Sequence, residues 1–241
     1  AALECIKTIE RLNVDYIDPT MPEKPAVRIG LNSGEVVVGN TGSARKLAEH
    51  LGAFVGQMTE EPIKELNVIL DGVASQMNVK ALDCAVLAGL LKPTNAEINM
   101  VSAPVIAKDR GIKTATTTQD KSGVFDGYIK IVVKTANRER SIAGTVFSDG
   151  KPRFIQIKGI NIDAEIGAHM LYTTNRDEPG IIGALGETMG KHGVNIANFT
   201  LGRKDAGGDA IALLYVDAPV EDSVQNALKS TGKFQNVSSL S

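Results

Sequence analysis

Cysteine, histidine and long apolar runs are all scarce in this 241-residue chain. Cys5 and Cys84 are too few and too far apart for a disulfide framework or a zinc site, and a reducing cytoplasm is the expected setting. Three histidines, His50, His169 and His192, give metal catalysis little to work with. The longest apolar stretches, such as Ala81–Leu91, fall short of the roughly 20 residues that span a bilayer, and no signal peptide is read at the start. Lysine and arginine form no long run and the net charge is −2, so the electrostatic footprint of a nucleic-acid binder is missing.

The bulk of the chain is ordinary. It is 43% apolar and 22% charged, which predicts folded structure throughout, in one large or two to three small domains.

Apolar residues at Leu3, Ile6, Ile9, Leu12 and Val14 predict an amphipathic helix over 1–17. The proline-rich DPTMPEKP is a loop, and strands follow at Ala26–Leu31 and Glu35–Val38 around the turn Asn32-Ser33-Gly34. Gly42 is followed by Ser43-Ala44-Arg45-Lys46-Leu47 with no hydroxyl after the lysine, which excludes a Walker phosphate loop. From Arg45 the spacing of Leu47, Leu51, Phe54 and Val55 predicts a helix. Residues 60–70 continue an α/β mixture. A buried helix is predicted at Val79–Leu91, ending before Lys92-Pro93, and another at Asn95–Gly111, which Pro104 bends or begins.

Residues 114–128, TATTTQDKSGVFDGY, read as a polar loop. Strands are expected at Tyr128–Thr135, Arg140–Phe147 and Arg153–Ile157, the last two joined by the turn Ser148–Pro152. Beyond them the order is β-α-β-β-α-β: Met170–Thr174; a helix carrying Ile181, Ile182, Leu185 and Met189; Val194–Leu201; Asp209–Val216; Val220–Lys229; and Phe234–Val237. Asp177 is placed to cap the first of these helices, Pro179 suits its first turn, and Gly193 supplies a left-handed stop beside the cation His192. Cys84, Met77, Met100 and Met170 read as core filler.

DEPGIIGALGETMGKHGVNIANFTLGR followed by GGDAIALLYVD resembles an ACT domain, the small-molecule-sensing module of amino-acid metabolism. With LAEHLGAFVGQMTE, NMVSAPVIAKDRGI and SIAGTVFSDGKPRFIQIKGINIDAE, the stretch from about 46 to the end is similar to the C-terminal regulatory part of the D-3-phosphoglycerate dehydrogenase family. That resemblance implies an α/β (α+β) protein: an allosteric substrate-binding domain over 46–165, then a ferredoxin-like βαββαβ ACT domain over 166–241. Residues 1–45, with Gly30, Gly34, Gly39, Gly42 and Ser43, are similar to a helix and β-hairpin fragment of a class III adenylyl/guanylyl cyclase. The metal-binding aspartates of a cyclase are missing from them, and cyclase activity is not expected.

By the same resemblance the effector is L-serine or a similar small amino acid, held between two ACT domains by Asn175, Asp177 and Asn195. The alternative for these three is that they satisfy loop backbone or cap the helix. Lys151, Arg153, Lys158, Arg138 and Arg140 form a basic group that suits a phosphorylated 2-oxo or 2-hydroxy acid, or else a solvated face. No GxGxxG follows a strand, so NAD is expected for the full-length dehydrogenase of the family and no cofactor or catalytic residue is assigned here. The implied partners are a second copy, in a homodimer or tetramer, and dehydrogenase catalytic domains.

Overall fold

A computed structural model describes residues 41–120 and 124–240, which lie in one compact unit. The helix and hairpin expected over residues 1–38 lie outside the described residues.

Helix α1 (Thr41–Gln57) begins four residues before the expected Arg45 and buries Leu47, Leu51, Phe54 and Val55 on one side. Helix α2 (Val79–Leu91) has the predicted bounds. Asn78 caps it by accepting a hydrogen bond from the Ala81 N–H at 3.1 Å. The two helices meet with backbones in contact. A Cβ on Gly52 would fall on the carbonyl of Val86, and one on Gly89 on the carbonyl of Glu49.

Helix α3 is much shorter than the predicted span and runs only Ala103–Asp109, with Pro104 in its first turn. Upstream, the asparagines turn the chain instead. Asn95 accepts from the Glu97 N–H, and Asn99 from the N–H groups of Val101 and Ser102. Such local side-chain bonds compete with helix.

Six strands form the first sheet: β1 (Glu65–Gly72), β2 (Lys113–Gln119), β3 (Gly127–Lys134), β4 (Glu139–Val146), β5 (Pro152–Ile157) and β6 (Ile160–Glu165), in the order β2-β1-β3-β4-β5-β6. Strand β2 corrects the loop expected at 114–128. It runs parallel to β1, in register from Glu65↔Lys113 to Asp71↔Gln119, and the crossover between them carries α2 and α3. Strand β6 was not foreseen. Lys158 and Gly159, with φ of 52° and 77°, make a two-residue hairpin turn that returns the chain antiparallel to β5.

The second sheet holds β7 (His169–Arg176), β8 (Ile196–Arg203), β9 (Asp209–Val216) and β10 (Phe234–Leu240) in the order β10-β7-β9-β8. With α4 (Ile181–Lys191) and α5 (Asp222–Ser230) it is the expected ferredoxin-like βαββαβ unit. Gly193, at φ 70°, ends α4 as anticipated, and the Val194 N–H reaches back to the carbonyl of Met189.

The faces of β7 and β9 alternate cleanly. Leu171, Leu214 and Val216 pack with Ile181, Leu185, Met189, Val224 and Leu228 of the two helices. Met170, Tyr172, Ile211 and Leu213 point the other way and join one core with α1, α2 and the first sheet. The ring of Phe54 on α1 meets Phe154 of β5 and Tyr172 of β7, each edge to face.

Candidate effector site at the start of helix α4

Strand β7 delivers its end to the N-terminus of α4. Gly180 is the cap residue, in the left-handed conformation at φ 88°, with no side-chain cap bond. The first backbone bond closes from Ala184 N–H to the Gly180 carbonyl, which leaves the N–H groups of Ile181, Ile182 and Gly183 without intrahelical acceptors. They and the helix dipole favour an anion.

Asn175 lies on the helix side of β7, in line with Leu171, and is 1% exposed. Its Nδ2 donates to the Arg176 carbonyl at 2.6 Å, while its buried Oδ1 has no hydrogen-bond partner.

Asp177 does not cap α4, contrary to the sequence expectation. Its Oδ2 accepts from Arg203 Nη1 at 2.8 Å and from the Gly207 N–H at 3.2 Å, which ties the β7–α4 loop to the β8–β9 hairpin. The Arg203 hydrogen bond, reinforced by that of Gly207, holds the carboxyl below the usual aspartate range. Arg203 and Gly207 carried no signal in the sequence, because they are 26 and 30 residues downstream.

Asn195 sits at the other end of α4, where its Nδ2 donates to Asp217 Oδ2 at 2.7 Å. An 11-residue helix is about 16 Å long. Within one chain, then, Asn175 and Asp177 share a locus and Asn195 is remote from it.

The five basic residues do not form one group either. The pairing of Thr145 with Arg153 and of Ile142 with Ile157 puts them at opposite ends of the β4–β5 pair, about 16 Å apart by strand rise. At one end Arg153 is surrounded by acid: Asp163 at 3.3 Å, Glu165 at 3.6 Å and Asp149 at 3.8 Å, with the Phe147 ring beneath its guanidinium. Lys151 is exposed beside it.

At the other end Arg138, Arg140 and Lys158 gather. Burial, then the charges of Arg140 and Arg138, push the Lys158 ammonium below its ordinary value. Its Nζ stands 5.9 Å from the ring centre of Tyr172, whose fully buried hydroxyl has no hydrogen-bond partner and is pushed up by burial. Tyr172 was not singled out in the sequence. Arg138 lies 3.9 Å from Glu61, a loose exposed pair.

A separate cleft of about 480 Å³ runs along α1, lined by Lys46, His50, Phe54 and Met170 among others. Burial lowers the His50 pKa there, and Lys46 and Lys92 lower it further against the pull of Glu49. Among the described residues no group of three or more His, Cys, Asp or Glu is placed to hold a metal ion, and no helix is long and apolar enough to cross a membrane.

The fold is thus a two-sheet α+β assembly ending in a ferredoxin-like unit. Residues 44–158 match the D-3-phosphoglycerate dehydrogenase intervening domain. Over a longer stretch the chain is similar to part of each of several D-3-phosphoglycerate dehydrogenases. That of Synechocystis is 36% identical over 181 residues, 74% of this chain and 33% of the relative. That of Methanocaldococcus jannaschii is 31% identical over 194 residues, covering 79% and 36%, and that of Bacillus subtilis 29% over 193, covering 80% and 37%. The chain spans about a third of the length of these relatives.

Proposed function

We propose that this chain is the regulatory portion of a D-3-phosphoglycerate dehydrogenase-like protein of L-serine biosynthesis, working in the cytoplasm. It binds L-serine, or a similar small amino acid, where two copies meet. The observation that carries the reading is the match of residues 44–158 to the intervening domain, directly ahead of a ferredoxin-like unit. The loop from β7 into α4 supplies Asn175 and Asp177 from one copy. Because Asn195 is a helix length away, it acts from the second copy across a two-fold axis. The resulting dimer, or a tetramer built from it, passes the binding event to dehydrogenase catalytic domains, which carry the NAD chemistry.

For the first sheet the same reading places a phosphorylated 2-oxo or 2-hydroxy acid against Arg138, Arg140 and Lys158. The unpartnered Tyr172 hydroxyl favours this end of the hairpin, because it offers a phosphate oxygen a donor.

Calorimetric titration of the chain with L-serine, alongside sedimentation, tests the reading. Saturable heat that Asp177→Ala and Asn195→Ala each weaken, with tighter self-association when serine is present, is the expected result. No heat from the unmutated chain would leave an assembly module without an effector.

A further inference from the structure

A cation beside the start of α4 comes from the edge strand of the second sheet. Lys233 immediately precedes β10, and β10 pairs with β7 so that Phe234 stands opposite Asn175. That register brings the lysine over the loop from β7 into α4. Its Nζ lies 3.4 Å from the position a Cβ on Gly180 would occupy. Among the described residues it forms no ion pair, although Arg203, across the same loop, is committed to Asp177.

Three features lie around the loop from β7 into α4: the unsatisfied N–H groups of Ile181, Ile182 and Gly183, an unpaired ammonium beside Gly180, and, at the end of β7, the buried, unpartnered Oδ1 of Asn175. The first two are donors and suit a carboxylate. The third is an acceptor and suits an ammonium. Asp177 is already held by two donors and does not have to receive the ligand's positive charge.

Resting on the amino-acid-binding reading above, we propose that Lys233 is the carboxylate anchor of this site and selects ligands with an ionised carboxyl group. It acts from the same copy as Asn175, so its charge is in place before a second copy docks. Sequence reading passed it over because 53 positions separate it from Gly180 and only the β7–β10 pairing brings the two together.

Two titrations of the full chain separate this proposal from the reading it rests on. Backbone amide shifts of Ile181, Ile182 and Gly183 are followed while sodium acetate replaces sodium chloride at constant ionic strength. Saturable shifts in the unmutated chain and in Lys233→Arg, absent in Lys233→Met, support the anchor. Shifts equal in Lys233→Met, or absent in the folded unmutated chain, overturn it whatever serine does. L-serine and L-serinamide are then compared by calorimetry. Lys233→Met is expected to weaken L-serine at least tenfold and leave the weaker serinamide binding unchanged, whereas equal losses for both would assign Lys233 a structural role and overturn the proposal. Acetate shifts that depend on Lys233, with no serine heat, would retain the anchor and remove serine as its ligand.

Discussion

Phe54 and Tyr172 stand edge to face, ring centres 5.3 Å apart at 75°, although 118 residues separate them in the chain. Phe54 makes a second such contact with Phe154, at 5.4 Å and 66°. One α1 side chain thus touches both sheets, and the core on either side is continuous through it.

Phe54→Ala is expected to cost about 3–5 kcal/mol, because it empties a large buried site that two rigid sheets cannot close. Phe54→Leu, which keeps most of the volume, is expected to cost distinctly less. Urea unfolding checks both. Equal midpoints for the two variants would show that the ring contacts do not organise the joint.

Gly89→Ala is expected to destabilise by about 1–3 kcal/mol despite the better helix propensity of alanine, because its methyl group would overlap the Glu49 carbonyl on α1. Gly186→Ala on α4, where a Cβ meets nothing within 4 Å, is the control and is expected to be neutral or stabilising. Thermal unfolding of the pair reads the difference.

The Asp177 carboxyl is depressed chiefly by its Arg203 hydrogen bond. A group lowered in the folded state stabilises fully above its ordinary value near pH 4, and that contribution drains away as pH falls through the folded value. Arg203→Met is therefore expected to raise the Asp177 pKa and to flatten the acid limb of stability below about pH 4. Carboxyl carbon shifts followed against pH would refute the assignment if Asp177 titrates identically in both proteins.

Arg153 and Arg140 should separate cleanly. Arg153→Ala removes a guanidinium already engaged by three carboxylates at the surface. It is expected to cost about 1 kcal/mol or less and to leave inorganic phosphate binding unchanged. Arg140→Ala is expected to abolish that binding. Phosphate-induced amide shifts around Lys158 are the measurement, and persistence of those shifts in Arg140→Ala would remove the anion reading of this end of the hairpin.

What could be read in advance follows from how local each signal is. Val79–Leu91 is mostly apolar and is followed by Lys92-Pro93, so its bounds are legible. Asp209–Val216 is a largely apolar β run that follows Gly207-Gly208, and it was equally plain. Strand β2 was opaque because Lys113–Thr118 is exposed along its whole length, and only parallel pairing with β1, 48 residues upstream, makes it a strand. The asparagines at 95 and 99 looked compatible with helix until their side chains were seen closing turns. At the site, Asn175 and Asp177 were carried over from the motif resemblance, and their place before a helix was legible. The partner that takes Asp177 away from its cap was not, since Arg203 belongs to another strand. The basic residues looked like one group because sequence proximity hides the length of a hairpin.

The continuity of the core through Phe54 bears on how this chain can be divided. Scission near Gly167, between the two sheets, would not release two self-sufficient pieces. The shorter would present Met170, Tyr172, Ile211 and Leu213 to water as an oily plate, and the longer would lose the lid over its first helix. Each fragment would be adhesive, and they would find each other again before either found a folded life alone.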